Sequence, residues 1–170
     1  MLTGQRRGEV AGLTWDEIAP DLSTWTIPAG RAKNGVARVV PLSPQAQIVL
    51  RAEPRINSSD LVFPGEQGIL SGWSKSRARL DCRSGVSDWT LHDLRRTVAT
   101  GLQRLGVRLE VTESVLNHVS GSRAGIVGVY QKHEWADEKR AALVVWGAHV
   151  AAIVEKRDAL DNVTRLRRPA

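Results

Sequence analysis

The sequence predicts a mainly α-helical fold with a small antiparallel β-sheet near its amino terminus, an α+β class. Apolar residues recur at helical spacing along most of the chain, most clearly over 90–106. Two β-rich runs within 24–42 flank the dipeptide Asn34-Gly35, which is a strong hairpin signal because both turn residues need positive φ. The chain has 170 residues, of which 42% are hydrophobic, and this suits one domain with its own core.

The front of the chain predicts short elements. Residues 6–15 predict a short helix with Val10 and Leu13 at helical spacing, while Glu9 and the arginines lie on other faces. In the hairpin, Pro28 indicates that the first strand is an edge strand or is bulged, because proline lacks an N–H for the ladder.

The middle of the chain predicts a helix, a turn and a second helix. Residues 43–53 favour a helix, with Ser43 as its cap and Pro44 at its first position. Residues 60–68 indicate the end of a buried strand followed by a turn. Residues 72–83 resemble a basic helix.

The clearest helix covers residues 90–106. Thr90 and Asp93 form a capping-box pattern at its start, and Gly106 marks its end. An apolar stripe runs along it, made of Leu91, Leu94, Val98 and Leu102.

Three further helices are expected, over 109–118, 124–132 and 137–156. The last of these has an apolar side formed by Ala142, Trp146, His149, Val150 and Ile153. We therefore expect one domain over 1–156, followed by a flexible basic tail over 157–170 that has too few apolar groups to order itself.

Charge and cysteine content narrow the function classes. The net charge of +6 and the sequence pI of about 10.2 favour a polyanionic partner, with nucleic acid as the first candidate. A single cysteine, Cys82, excludes an intrachain disulfide and fits a reducing cytosol. No apolar run approaches the ~20 residues of a membrane span, and the start of the chain has no signal-peptide pattern.

Several polar residues have an ordinary structural interpretation when each is taken alone. His92 and Arg95 are three apart and share a helix face beside the apolar stripe, so they form either a solvated flank or a phosphate-binding pair. Arg6 and Glu9 have the spacing of a common surface ion pair. Lys33 has the position of an ordinary turn lysine, and His118 that of a histidine at a helix carboxyl end.

The order of these residues is more specific than any one of them. The segments TGQRRGEVAGLTWDEI, RAKNGVARVVPLS, LHDLRRTVATGL, VLNHVSG and GVYQKHEWADEKRAAL together resemble the tyrosine recombinase (phage integrase) family. The resemblance covers residues 2–150, and its last segment is most similar to integrases of prophages and genomic islands. It departs from the pattern at Asn117, where glycine is more usual.

The resemblance implies a role for each matching residue. Arg6 and Arg95 would clamp the scissile phosphate, and Lys33 would protonate the leaving 5′ oxygen. His92 would serve in acid–base chemistry and in positioning the phosphate. His118 would donate a hydrogen bond to a nonbridging oxygen.

Tyr130, the only tyrosine of the chain, would be the nucleophile, and either Glu9 or Asp93 would support the arginines. The implied chemistry needs no cofactor and no metal, because arginine and histidine donors stabilise the charge of the transition state. The sequence also offers no carboxylate cluster of the kind that a two-metal nuclease needs.

The implied partners are double-stranded DNA attachment sites and, for the full-length protein, further copies in a tetramer on DNA. No membrane partner is expected, and the expected place is the bacterial cytoplasm, at the nucleoid when bound to DNA. Because the chain opens at the first arginine motif, we expect a catalytic domain without the preceding DNA-binding domains.

Two alternatives stay open: relaxation of DNA like that of a type IB topoisomerase, and a DNA-binding remnant without catalysis. Four other residues receive no catalytic role. Arg7 and Arg96 are expected to point away from the clamp, and His133 and His149 are expected to be structural.

Overall fold

The computed structural model describes residues 1–33, 35–56, 58–66, 68–118 and 135–155. Within them the chain is mainly helical with small antiparallel sheets, which confirms the predicted fold class. The predicted helix over 124–132, the residues Tyr130 and His133, and the predicted tail over 157–170 lie outside the described residues. None of the described helices is long and apolar enough to cross a membrane.

The described elements follow one another in a simple order. They are α1 (Arg7–Ala11), a 3-10 turn (Trp15–Glu17), β1 (Thr24–Ile27), β2 (Arg38–Pro41), α2 (Pro44–Ala52), β3 (Pro64–Gly65), β4 (Gly68–Ile69), α3 (Trp73–Ser84), α4 (Leu91–Arg104), α5 (Leu109–Leu116) and α6 (Ala136–Val154).

Strands β1 and β2 pair antiparallel, with Ile27 opposite Arg38 at the loop end. The strands are not joined by a two-residue turn at the predicted dipeptide, because the connection between them is a loop over residues 28–37. The first strand ends where Pro28, which has no N–H to donate, begins that loop. Gly35 does adopt positive φ, at +68°, but it does so in a turn within the loop.

Local signals define the helix starts. Ser43 Oγ accepts from the backbone N–H of Ala46 at 3.3 Å, and Pro44 follows as the first helical residue, as predicted. At α4 the backbone N–H of Thr90 donates to Asp93 Oδ2 at 2.8 Å, which confirms the predicted cap. The predicted basic helix is α3, and no residue of this fully described helix is buried.

One hydrophobic core joins the sheet to the helices, and α6 is its central element. This helix packs on α2, α4, α5 and β2. Gly101 of α4 lies directly against the ring of Trp146, and Gly147 lies against Ser43, so neither glycine has room for a side chain.

The predicted apolar side of α6 is buried only in part. Ala142 and Trp146 are buried, but Ile153 is 60% exposed. Helical spacing indicates which residues share a face, whereas the extent of the covering surface depends on the neighbouring elements. No described element covers the last turn of α6.

Candidate active site

An open cavity of about 670 Å³ lies between the segment leading into α1, the loop over 28–37, and the starts of α3 and α4. Four of the six residues predicted to take part in catalysis line it: Arg6, Lys33, His92 and Arg95. These residues come from positions up to 89 apart in the sequence, and the fold brings them to one surface.

Arg6 stands immediately before α1 and is held by two neighbours. Its Nη1 donates to Glu9 Oε1 at 3.2 Å, and its Nη2 donates to the backbone oxygen of Asn117 at 3.3 Å. The side chain remains 26% exposed. It therefore offers part of its guanidinium to an anion in the cavity.

Arg95 is more deeply placed, at 8% exposure. Its Nη1 donates to the backbone oxygen of Gly4 at 2.6 Å, and its Nη2 donates to that of Leu116. Burial, together with the nearby charge of Arg6, lowers the pKa of Arg95 to about 10, so the group is still cationic at neutral pH. A phosphate in the cavity would stabilise this buried charge.

The carboxylate of Glu9 lies beneath Arg6 and is only 4% exposed. Burial raises its pKa, but hydrogen bonding from the Arg6 backbone N–H and the charge and hydrogen bond of Arg38 outweigh burial, so the net pKa is lowered. Glu9 is therefore a buried anion in contact with two arginines, and the interpretation as an ordinary surface pair is wrong.

Arg38 and Gln5 were not predicted. Arg38 Nη2 donates to Glu9 Oε2 at 2.7 Å and to Gln5 Oε1 at 2.8 Å. The sequence could have indicated that Arg38 faces inward. Side chains two apart in a strand share a face, and Val40, two residues later, belongs to the core. No comparable signal marks Gln5.

Lys33 is exposed and lies in the loop over 28–37, which is anchored to α1. Arg31 provides the anchor: its Nη1 donates to the backbone oxygen of Glu9 at 3.1 Å, and its Nε donates to Glu17 Oε1 at 2.9 Å. The guanidinium fills the space above Gly12, where a side chain would displace it. The position of Lys33 thus depends on the helix that Arg6 immediately precedes.

His92 is exposed on the first turn of α4 and reaches the cavity. Asp93 caps this helix, and the side-chain and backbone hydrogen bonds from Thr90 lower its pKa. Asp93 also accepts from Arg96 at 3.1 Å. Of the two carboxylates proposed to support the arginines, Glu9 contacts Arg6, whereas Asp93 shapes the start of the helix.

His118 is exposed and does not line the cavity. Its backbone N–H donates to Glu113 at the end of α5, and Asn117, which precedes it, is left-handed at φ 49°. The backbone oxygen of Asn117 accepts a hydrogen bond from Arg6, so His118 is the neighbour in sequence of a residue that contacts Arg6. Tyr130, the predicted nucleophile, lies outside the described residues.

Arg7 behaves differently from the prediction. It lines the same cavity as Arg6, and its guanidinium lies 5.7 Å from the ring centroid of Trp73 at the start of α3. Arg96, as expected, points away from the cavity and pairs with Asp93. His149 is half-buried, with its ring 5.7 Å from that of Trp146, which agrees with a packing role.

One side of the cavity comes from α3 and consists of Trp73, Ser74 and Arg77, here called the α3 wall. Arg77 lies 5.8 Å from the ring centroid of Trp89 and pairs with Asp81 at 3.5 Å. In the part of the chain that the structure describes, no group of three histidine, cysteine or acidic residues could hold a metal ion. The arginine and lysine side chains that line the cavity are those of Arg6, Arg7, Lys33, Arg77 and Arg95.

A model of the phage integrase family matches residues 1–134. The chain belongs to the phage integrase family. The match contains every predicted catalytic residue, including the undescribed Tyr130.

Two known proteins are similar to this integrase-family chain. Prophage integrase IntA of Escherichia coli (strain K12) is 27% identical over 172 residues, which covers 98% of this chain and 41% of IntA. A crystal structure of XerA recombinase superposes with a TM-score of 0.55 at 18% identity and covers 98% of this chain and 54% of that one. The chain thus spans about two fifths of the length of IntA, and the likeness to XerA is one of fold.

Proposed function

We propose that this chain is the catalytic domain of a site-specific DNA recombinase that cleaves and rejoins DNA strands through a phosphotyrosine intermediate. The observation that carries the proposal is the convergence of Arg6, Lys33, His92 and Arg95 on one open cavity in a member of the phage integrase family. A double-stranded attachment site is the proposed substrate. Assembly as a tetramer on that DNA is proposed for the full-length protein.

The positive charge of the cavity suits a phosphodiester. Its transition state gathers negative charge on the nonbridging oxygens, and Arg6 and Arg95 offer donors to that charge without a metal ion. Glu9 neutralises only part of the local charge, because its one carboxylate pairs with the guanidinium groups of Arg6 and Arg38, and the charge of Arg95 lies close by. The remaining positive charge is available to the phosphate.

The proposed cleavage balances in atoms and protons. The phenol oxygen of Tyr130 forms a bond to phosphorus while the bond from phosphorus to the 5′ oxygen breaks. The phenol proton passes to His92, and the 5′ oxygen takes a proton from Lys33, so the products are a 3′-phosphotyrosine and a free 5′ hydroxyl. Rejoining reverses each transfer, and the conserved bond energy makes ATP unnecessary.

The test is a nicked suicide substrate, from which a cleaved strand cannot be rejoined. The protein should form a covalent adduct with this DNA in the presence of EDTA, and Tyr130→Phe should abolish the adduct while folding and DNA binding persist. Phenylalanine keeps the ring, so any packing role survives. An adduct in Tyr130→Phe, or cleavage that needs added Mg²⁺, would contradict the proposal, and binding without any adduct would favour a DNA-binding remnant.

A further inference from the structure

A largely buried cluster of Gln5, Glu9 and Arg38 lies against the backbone of Arg6, and of these three residues only Gln5 lines the cavity. Arg38 is the first residue of β2, and its side chain is 11% exposed. It does not line the cavity, so it cannot touch a bound phosphate there. Its effect on such a phosphate has to pass through another residue.

The carboxylate of Glu9 is that connection. Its Oε2 accepts from the backbone N–H of Arg6 at 2.9 Å and from Arg38 Nη2 at 2.7 Å, while its Oε1 accepts from Arg6 Nη1 at 3.2 Å. Arg38 therefore holds one edge of the carboxylate, and the other edge orients the guanidinium of Arg6. Loss of Arg38 would let the carboxylate turn, and Arg6 would turn with it.

The Arg38 side chain has unpaired hydrogen-bond donors, and such donors lower the stability of the folded protein. Its Nε and Nη1 are buried and have no hydrogen-bond partner among the described residues. Each unpaired buried donor costs about 1–3 kcal/mol, and a buried ion pair is weak support for stability. The arrangement keeps an additional positive charge under the cavity, close enough that Arg38 contributes to the lowered pKa of Arg95, after burial and Arg6.

We propose that Arg38 is a positioning residue for the phosphate site, holding the guanidinium of Arg6 toward the cavity through the shared carboxylate of Glu9. Arg38 directly follows the loop that carries Lys33. Its hydrogen bond to Glu9 therefore connects that loop to the carboxylate that also holds Arg6. That the phosphate belongs to DNA rests on the proposed function. The positioning itself concerns any phosphate that enters the cavity.

The first test measures binding of inorganic phosphate to the intact protein by NMR of its arginine side chains. Arg38→Met should weaken phosphate binding about tenfold, the effect of one charge-assisted hydrogen bond, and should shift the Arg6 Nε–H resonance. Arg38→Lys should recover most of the affinity, because both hydrogen bonds of Arg38 leave from a single nitrogen that an ammonium group can replace. Arg51→Met, which removes an exposed arginine of α2, is the control and should change neither quantity.

The wild-type protein provides a second measurement, which is informative even where Arg38→Met fails to fold. Titration with inorganic phosphate should move the Nε–H resonances of Arg6 and Arg38 with the same midpoint, although only Arg6 lines the cavity. An Arg38 resonance that does not respond would overturn the proposal. Unchanged phosphate affinity in a folded Arg38→Met variant would overturn it as well.

A third measurement separates this inference from the proposed function. With the suicide substrate at saturation, Arg38→Met should lower the maximal rate of adduct formation per folded molecule while the DNA dissociation constant changes less than threefold. A merely stabilising residue would lower the folded fraction and leave that rate unchanged. Absence of any adduct in the wild type would contradict the proposed function alone, because the phosphate titrations need no cleavage.

Discussion

Two sides of the cavity both carry arginine but hold it by different means. On one side, Arg6 and Arg95 line the cavity, and Glu9 and Arg38 lie behind Arg6; these four residues are here called the floor. Buried and partly buried hydrogen bonds to a carboxylate and to backbone oxygens fix each guanidinium of the floor. On the α3 wall, Arg77 lies near the ring of Trp89 and forms a longer, more exposed ion pair with Asp81 at 3.5 Å, and the helix buries no residue of its own.

The difference concerns how far each arginine can move. A buried charge-assisted hydrogen bond has narrow limits of distance and angle, whereas a cation near an aromatic face keeps its attraction over a wider range of positions. We therefore infer that the floor sets the geometry of the reacting phosphate. The α3 wall is suited to contacts that adjust to the shape of the bound molecule.

The largest effect on stability is expected at Glu9. Glu9→Gln leaves Arg38 and Arg6 without their carboxylate and should lower the free energy of unfolding by about 3 kcal/mol at pH 7, as for other broken buried ion pairs. Because the folded-state pKa of Glu9 is lowered, its contribution is complete above the ordinary carboxyl pKa and is lost as the pH falls through the folded value.

Denaturant unfolding of wild type and Glu9→Gln over a pH series checks this expectation. The two stability curves should converge as the pH falls below about 4.5, the ordinary pKa of the glutamate side chain. Glu66→Gln removes an exposed carboxylate, and its curve of stability against pH should run parallel to that of the wild type. A constant difference between wild type and Glu9→Gln across the series would show that its ionisation does not stabilise the floor.

An intermediate effect is expected at Arg95. Its two hydrogen bonds leave from different nitrogens, so a single ammonium group in Arg95→Lys has to give up or stretch one of them. We expect a loss of about 1–3 kcal/mol in the free energy of unfolding from one unpaired buried carbonyl. Lysine should therefore replace Arg38 better than it replaces Arg95.

Thermal unfolding of Arg95→Lys measures this loss of stability. Arg104→Lys is the control, because Arg104 is an exposed arginine at the end of the same helix. Equal stability of the two variants would mean that the two backbone contacts of Arg95 do not anchor the segment before α1 and the end of α5.

The smallest effect on stability is expected on the α3 wall. Trp73→Ala removes the ring near Arg7 and should lower the free energy of unfolding by less than about 1 kcal/mol, since exposed cation–π pairs contribute about 0.5–1 kcal/mol. In denaturant unfolding, its free energy of unfolding should be close to that of Leu80→Ala, a change at an exposed position of the same helix. A loss as large as that of Glu9→Gln would mean that α3 belongs to the core, and the contrast between wall and floor would fail.

Local interactions made much of the fold predictable from the sequence. The cap formed by Thr90 and Asp93 and the start of α2 at Ser43 and Pro44 depend on residues within one helical turn. Such contacts form wherever the helix forms, so spacing alone indicates them. The ordered motifs likewise indicated four of the residues that line the cavity: Arg6, Lys33, His92 and Arg95.

What the sequence determined by itself was therefore the fold class, the approximate boundaries of the main helices, and four of the residues that line the cavity. Only the tertiary structure decided that Glu9 is buried, that Arg38 supports it, that Arg7 faces the cavity and that Ile153 is exposed. The physical reason is that periodicity indicates a shared face but not the element that covers it. A charged side chain is buried only when a distant segment, here β2 against α1, supplies its partner.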